Sequence, residues 1–385
     1  MKDFTNYSKD IIDVVEEYNY DTQGEIYNMN FKRWRKNKQN PYAFNFEMNK
    51  KESVYIESKG FKAPNLADAE AETLGKIARI IGIAMLIWIS IDTVISQLAI
   101  QLFDYLGFNI YSTFFDTPIS GGRKEIVAAL IATSFLKTII PAIYLKKELR
   151  LPSDSRVMHT MIHPADLVRA ICICLAISTV ACLPNIYSGS TVQLYNYFMK
   201  LDADVSAWGQ TEFLVYTVYD TIILSVFSEL LFRGAVFTAL RQFGDWFAII
   251  VTAIISGLLV QDFSDMPVVI LVSIVAGSGM VRSGSVYTAI FVQIVYKLYR
   301  LSIVIIETVS KRDIFFERNL FMLIIFVLSI CLLISLCLLR KPRECYSQYD
   351  SEVPWYKRAF FIAKAYPLPV VAFICLLSAA LKVVF

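Results

Sequence analysis

Two side chains of opposite charge stand four residues apart inside the apolar stretch FSELLFRG: Glu229 and Arg233. On a helix that spacing puts them on one face and within reach of each other. Gln293 and Lys297 repeat the spacing inside YTAIFVQIVYKLYRLSIVII. A charge near the centre of a bilayer is costly, so it is normally paired or turned toward a cavity. One arrangement satisfies all of these groups: Glu229 faces Lys297, with Arg233, Asp220 and Gln293 completing the hydrogen bonds. Such a cluster can lock helices together, as polar side chains do in lipid, or it can line a functional cavity.

The chemistry to weigh is amide hydrolysis, which needs a base for water and donors for the developing oxyanion. Glu229 offers a carboxylate. Ser228 beside it is no base at neutral pH without a partner. Gln293 can donate a hydrogen bond but cannot shuttle a proton. Lys297 could serve as the base for a Ser228 nucleophile if the two met across two helices. An ion pair with Glu229 explains the lysine more simply. His159 and His163, in HTMIH, share a helix face, but two ligands without a carboxylate do not make a metal site. They read as an exposed amphipathic turn, and no metal or cofactor is expected.

These residues need helices in lipid to hold them. Of the 385 residues 56% are hydrophobic and 18% charged, against about 45–50% and 25% in a soluble domain. The excess falls in runs long enough to cross a hydrocarbon core. About nine apolar spans can be drawn: 78–104, 125–145, 166–183, 211–240, 247–261, 267–281, 284–308, 319–339 and 359–384. Lipid offers no partner for loose backbone groups, so the spans must be helices. The fold class is therefore all-α, a polytopic integral membrane protein with about eight to nine transmembrane helices. The only partner implied at this level is the bilayer itself.

Residues 1–76 are too polar for a span and read as a cytosolic tail, partly helical at KDIIDVVEEY. No short apolar segment follows a basic start, so no signal peptide is expected. The basic cluster FKRWRKNK suits a tail lying beside an anionic leaflet; a solvated basic stretch is the plainer alternative. A net charge of +3 is too small to point to nucleic acid. Lys146, Lys147, Arg150 and Arg156 in one loop, and Arg340, Lys341, Arg343, Lys357 and Arg358 in another, fall on the side of this tail. They favour a cytosolic N-terminus, although Arg123, Lys124, Lys311, Arg312 and Arg318 fall opposite. Six of seven cysteines lie in apolar runs and read as small hydrophobes.

Three stretches in order resemble the CAAX prenyl protease and bacteriocin-processing (CPBP or Abi) family of intramembrane proteases: SELLFRG at Ser228–Gly234, ALRQFGDWFAIIVTAIISGLL at Ala239–Leu259, and SIVAGSGMVRSGSVYTAIFVQIVYK at Ser273–Lys297, with its Gly277, Gly279 and Ser283-Gly284 pattern. The resemblance implies a family core over 211–300, flanking spans over 77–210, and C-terminal spans over 301–385. It also implies endopeptidase ancestry, and its bacterial breadth points to a bacterial plasma membrane. Members carry Glu-Glu-x-x-x-Arg, whose glutamate pair activates water. Here Ser228 stands at the first position, with Glu229 and Arg233 at the others. The second motif, Phe-x-x-x-His, aligns with Val260 and Ser264. The third, a histidine followed four later by asparagine, aligns with Gln293 and Lys297. Asp262 and Asp265 flank the second motif and read as loop residues.

With the catalytic positions at Ser228, Ser264, Gln293 and Lys297 replaced, the family reaction is expected to be lost. The expected function is a non-catalytic member that binds a membrane-associated peptide or protein as scaffold or regulator. The alternatives are an active endopeptidase, of the CAAX-processing or of a serine–lysine type, and a transporter or channel.

Overall fold

The computed structural model describes residues 25–37, 40–44, 54–56, 60–62, 66–111, 120–152, 164–182, 210–263, 265–309, 314–339 and 353–384. The expected helix at KDIIDVVEEY, and His159, His163, Ser264 and Cys345, lie outside these residues. Helices dominate: α1 (Glu25–Lys36), α2 (Ala67–Tyr105), α3 (Arg123–Glu148), α4 (Pro164–Cys182), α5 (Thr211–Phe243), α6 (Asp245–Leu258), α7 (Met266–Ser283), α8 (Val286–Val309), α9 (Ile314–Leu339), α10 (Trp355–Lys364) and α11 (Leu368–Val384). Two short antiparallel pairs, Val54–Ile56 with Gly60–Lys62 and Ile110–Tyr111 with Ser120–Gly121, are the strands among the described residues. The protein is thus an all-α polytopic membrane protein.

Among the described residues seven helices are long and apolar enough to cross a membrane, and the bent pair α10–α11 counts as an eighth only if its two helices are taken as one span. Two of the nine expected spans take another form. The run at 247–261 becomes α6, whose 14 residues extend only about 21 Å against a core of about 30 Å. The run at 359–384 breaks at Ala365–Pro367 and turns by 79° between α10 and α11. Proline cannot supply the N–H that would carry the helix onward.

Close approach between helices follows from small residues. A Cβ on Gly257 of α6 would run into Ile270 of α7, and one on Gly277 of α7 would meet Ile249 of α6 at 3.3 Å. The next glycine on α7, Gly279, faces Ala170 of α4 and Thr288 of α8 at 3.1 and 3.2 Å. Gly284 closes α7 in the left-handed region, with φ +67°, where a side chain would be strained. The glycines of the third motif therefore fix how α7 sits among α4, α6 and α8.

At one end of the bundle the polar N-terminal region packs into the core. Tyr27, Phe31 and Trp34 are buried along α1. The indole Nε1 of Trp34 donates to the carbonyl of Leu149, at the end of α3, at 2.9 Å. The Tyr42 hydroxyl donates to Glu148 at 3.2 Å. Gln242, in the turn that ends α5, clamps the strap at 42–44: its Oε1 accepts from the Phe44 amide at 2.7 Å and its Nε2 donates to the Tyr42 carbonyl at 2.9 Å.

Candidate functional site

Among the described residues three helical segments widen to π-helix: Ile91–Ile95 in α2, and Tyr219–Leu224 and Leu230–Phe237 in α5. Each carries a charged residue inside an apolar run: Asp92, Asp220 and Arg233. Such bulges displace the regular hydrogen-bond ladder and frequently occur at functional sites. In α5 the two bulges flank Ser225–Glu229, so the helix is reshaped on both sides of the glutamate.

Glu229 and Arg233 pair directly at 3.0 Å, and both are buried. The second guanidinium arm reaches α7, donating to the Ser273 carbonyl at 2.7 Å and to its hydroxyl at 2.6 Å. The Ser273 hydroxyl meets Ser256 of α6 at 2.9 Å. Arg233 thus ties three helices at one point. Its planar fork suits a carboxylate on one side and two oxygens on the other. Gln293 of α8 approaches the Glu229 carboxylate. Glu229 Oε2 is buried and makes no hydrogen bond. The Ser225 hydroxyl, one turn away on the same face, is buried and unbonded as well.

The expected contact between Glu229 and Lys297 does not form. Lys297 Nζ instead donates to the backbone oxygen and to Oδ1 of Asp220, at 2.8 and 3.0 Å. The reason is geometric. The helices α5 and α8 run antiparallel, so when Gln293 lies at Glu229, Lys297 falls about one turn further along, toward Asp220. Ser228 is also engaged elsewhere, donating to the Ser225 carbonyl at 3.0 Å. Neither member of a serine–lysine pair hydrogen-bonds the other. At the second motif, Gln261 is buried and its Oε1 accepts from Ser378 of α11 at 2.9 Å. Asp265 pairs with Arg300 at 2.8 Å, so this carboxylate serves a link between α7 and α8.

A further intramembrane pair was within reach of the sequence. Lys137 of α3 meets Asp92 of α2 at 2.7 Å and lies over the Trp88 ring at 4.6 Å. Both charges interrupt apolar runs, the same signal that marked Glu229 and Lys297. No such signal points to Ser273 or Ser256, since serines in apolar helices mostly bond their own backbone.

The fold and the site define a polytopic helical membrane protein with a buried polar column on its central helices. The family model described as Type II CAAX prenyl endopeptidase Rce1-like, of the CPBP family, matches residues 210–299. That segment is α5 to the middle of α8, and it holds Glu229, Arg233, Ser273 and Gln293 together with both ends of the Asp220–Lys297 pair. No curated protein and no solved structure matches the chain.

Proposed function

We propose that the Rce1-like segment binds a membrane peptide or membrane protein without cutting it, and that the protein acts as a scaffold or regulator. One observation carries this reading: three of the groups at the motif positions, Arg233, Ser228 and Lys297, are engaged within the protein. Arg233 joins Glu229 to Ser273, Ser228 bonds its own backbone, and Lys297 is taken by Asp220. Water activation wants a second base beside Glu229, and the side chains facing it are an amide and a hydroxyl. Glu229 Oε2 is left as a buried acceptor without a hydrogen bond, the kind of group a peptide N–H would satisfy. The membrane is proposed to be a bacterial plasma membrane, with the N-terminus in the cytosol.

The test is capture. Purified full-length protein is irradiated with a photoreactive prenylated CAAX peptide and with photoreactive transmembrane peptides. Labelling within 220–300 that an unlabelled peptide competes away, and that weakens in Glu229→Gln, is expected. Label spread evenly over all helices would sink the binding reading.

The runner-up is an active endopeptidase in which Glu229 works alone. The same Oε2 favours it, because a buried, unbonded carboxylate oxygen could accept a proton from water.

A further inference from the structure

Helix α10 has no place among the membrane-crossing helices. α11, at 17 residues, extends about 25 Å, close to the thickness of a hydrocarbon core. α10 is bent by 79° from α11, which for an α11 that crosses the membrane puts α10 close to the membrane plane. Its rotation is fixed by one buried residue. Arg358 donates to the Phe243 carbonyl at 2.8 Å, faces Glu70 at 3.6 Å and lies over the Phe247 ring at 5.4 Å. Ile362 is buried on the same side.

With that face turned inward, the other presents Trp355, Tyr356 and Phe360, exposed to 71%, 57% and 61%. Lys357 and Lys364 are exposed beside them. Exposed aromatics interleaved with lysines, on a helix lying in the plane, are the composition of an interfacial anchor, and Trp and Tyr favour the headgroup level.

The same end of the bundle carries more cations. The bond from Trp34 to Leu149 brings α1 against the end of α3, where Arg33, Lys147 and Arg150 are exposed. Glu148, exposed among them, accepts from Tyr42 and keeps its charge, so three cations stand against one acid there. Glu72 near the start of α2 is paired with Lys76.

We propose that α10 is an interfacial anchor that takes anionic phospholipid headgroups, with Lys357, Lys364, Arg33, Lys147 and Arg150 supplying the positive charge. Juxtamembrane cations are drawn to the anionic cytosolic leaflet, so this end faces the cytosol. The occupant is lipid and not a second protein because lysines interleave with the exposed aromatics next to the start of a span, a pattern complementary to anionic headgroups.

The experiment reconstitutes the full chain in nanodiscs of equal parts phosphatidylcholine and phosphatidylglycerol. Lipid retained after extraction is then counted by native mass spectrometry. Wild type is expected to retain phosphatidylglycerol over phosphatidylcholine by about threefold or more, as expected for several juxtamembrane cations. Lys357→Gln with Lys364→Gln, which keeps Arg358 and the docking of α10, should bring the ratio toward one at an unchanged unfolding midpoint. If that variant does not fold, the wild-type ratio and the hydrogen exchange of 355–364 in the two-lipid discs, against pure phosphatidylcholine discs, decide alone. Equal retention with no change in exchange would overturn the proposal. So would protection of α10 that appears only when a second protein co-purifies.

Discussion

Lys297 on α8 reaches Asp220 on α5, bonding both its backbone oxygen and its carboxylate at 2.8 and 3.0 Å. This contact lies about two and a half turns along α5 from Glu229. It divides the charges of the central helices into two separate ties. Contacting groups couple and separated ones add. Asp220→Asn combined with Lys297→Met should therefore show a coupling of about 0.5–3 kcal/mol in detergent unfolding. Glu229→Gln with Lys297→Met should come closer to additive. The charge swap Glu229→Lys with Lys297→Glu should not restore what either single change loses. Recovery by that swap would place the lysine at Glu229 after all.

Arg233 is the harder residue to replace. Its loss strands Glu229 as a buried charge and frees two oxygens of Ser273. Arg233→Met should destabilise by about 3–5 kcal/mol, read as a fall in the unfolding midpoint. Arg233→Lys should recover only part, because one ammonium cannot serve Glu229 and Ser273 in the same geometry. A midpoint for Arg233→Met equal to wild type would show that this tie carries no stability.

Gln242 holds the strap at 42–44 by two backbone bonds. Gln242→Leu removes both bonds, at about 1–3 kcal/mol for the buried one to the Phe44 amide and less for the part-buried one to the Tyr42 carbonyl. Hydrogen exchange across 25–44 should rise, while exchange in α7 and α8 stays as it was. Unchanged exchange at 40–44 would mean that the strap is held by its aromatic packing alone.

The strap also responds to alkali. Burial, and then the Glu148 carboxylate, push the Tyr42 phenol above its ordinary value of about 10. The docked state favours the protonated phenol, so its contribution is intact below that value and is lost as the pH rises through the raised one. The difference in unfolding midpoint between wild type and Tyr42→Phe should therefore shrink as the pH climbs past about 10. A difference that stays constant would remove Tyr42 as the responsive group.

Much of this architecture was legible because lipid simplifies the rules. Apolar runs of sufficient length must be helices, and charges within them must find partners. The pairing of Glu229 with Arg233 follows from their spacing alone. Which acid of α5 answers Lys297 does not, since that depends on the antiparallel register of α5 and α8. Nor does the break at Pro367, because a run of apolar residues looks the same whether it crosses the membrane or turns along it. Asp92 and Lys137 obeyed the same rule as Glu229 and could have been read with it. The packing of Tyr27, Phe31, Trp34 and Phe44 had no periodic signal strong enough to separate a docked segment from a tail.

The central claim is that the motif at Ser228–Gly234 holds and binds but does not hydrolyse. Its most direct test is turnover. Purified full-length protein in nanodiscs is incubated with prenylated CAAX peptides and a peptide library, and products are followed by mass spectrometry beside Glu229→Ala and Ser228→Ala. The account predicts no product in wild type beyond the level of Glu229→Ala. Reproducible cleavage by wild type that disappears in both variants would contradict it.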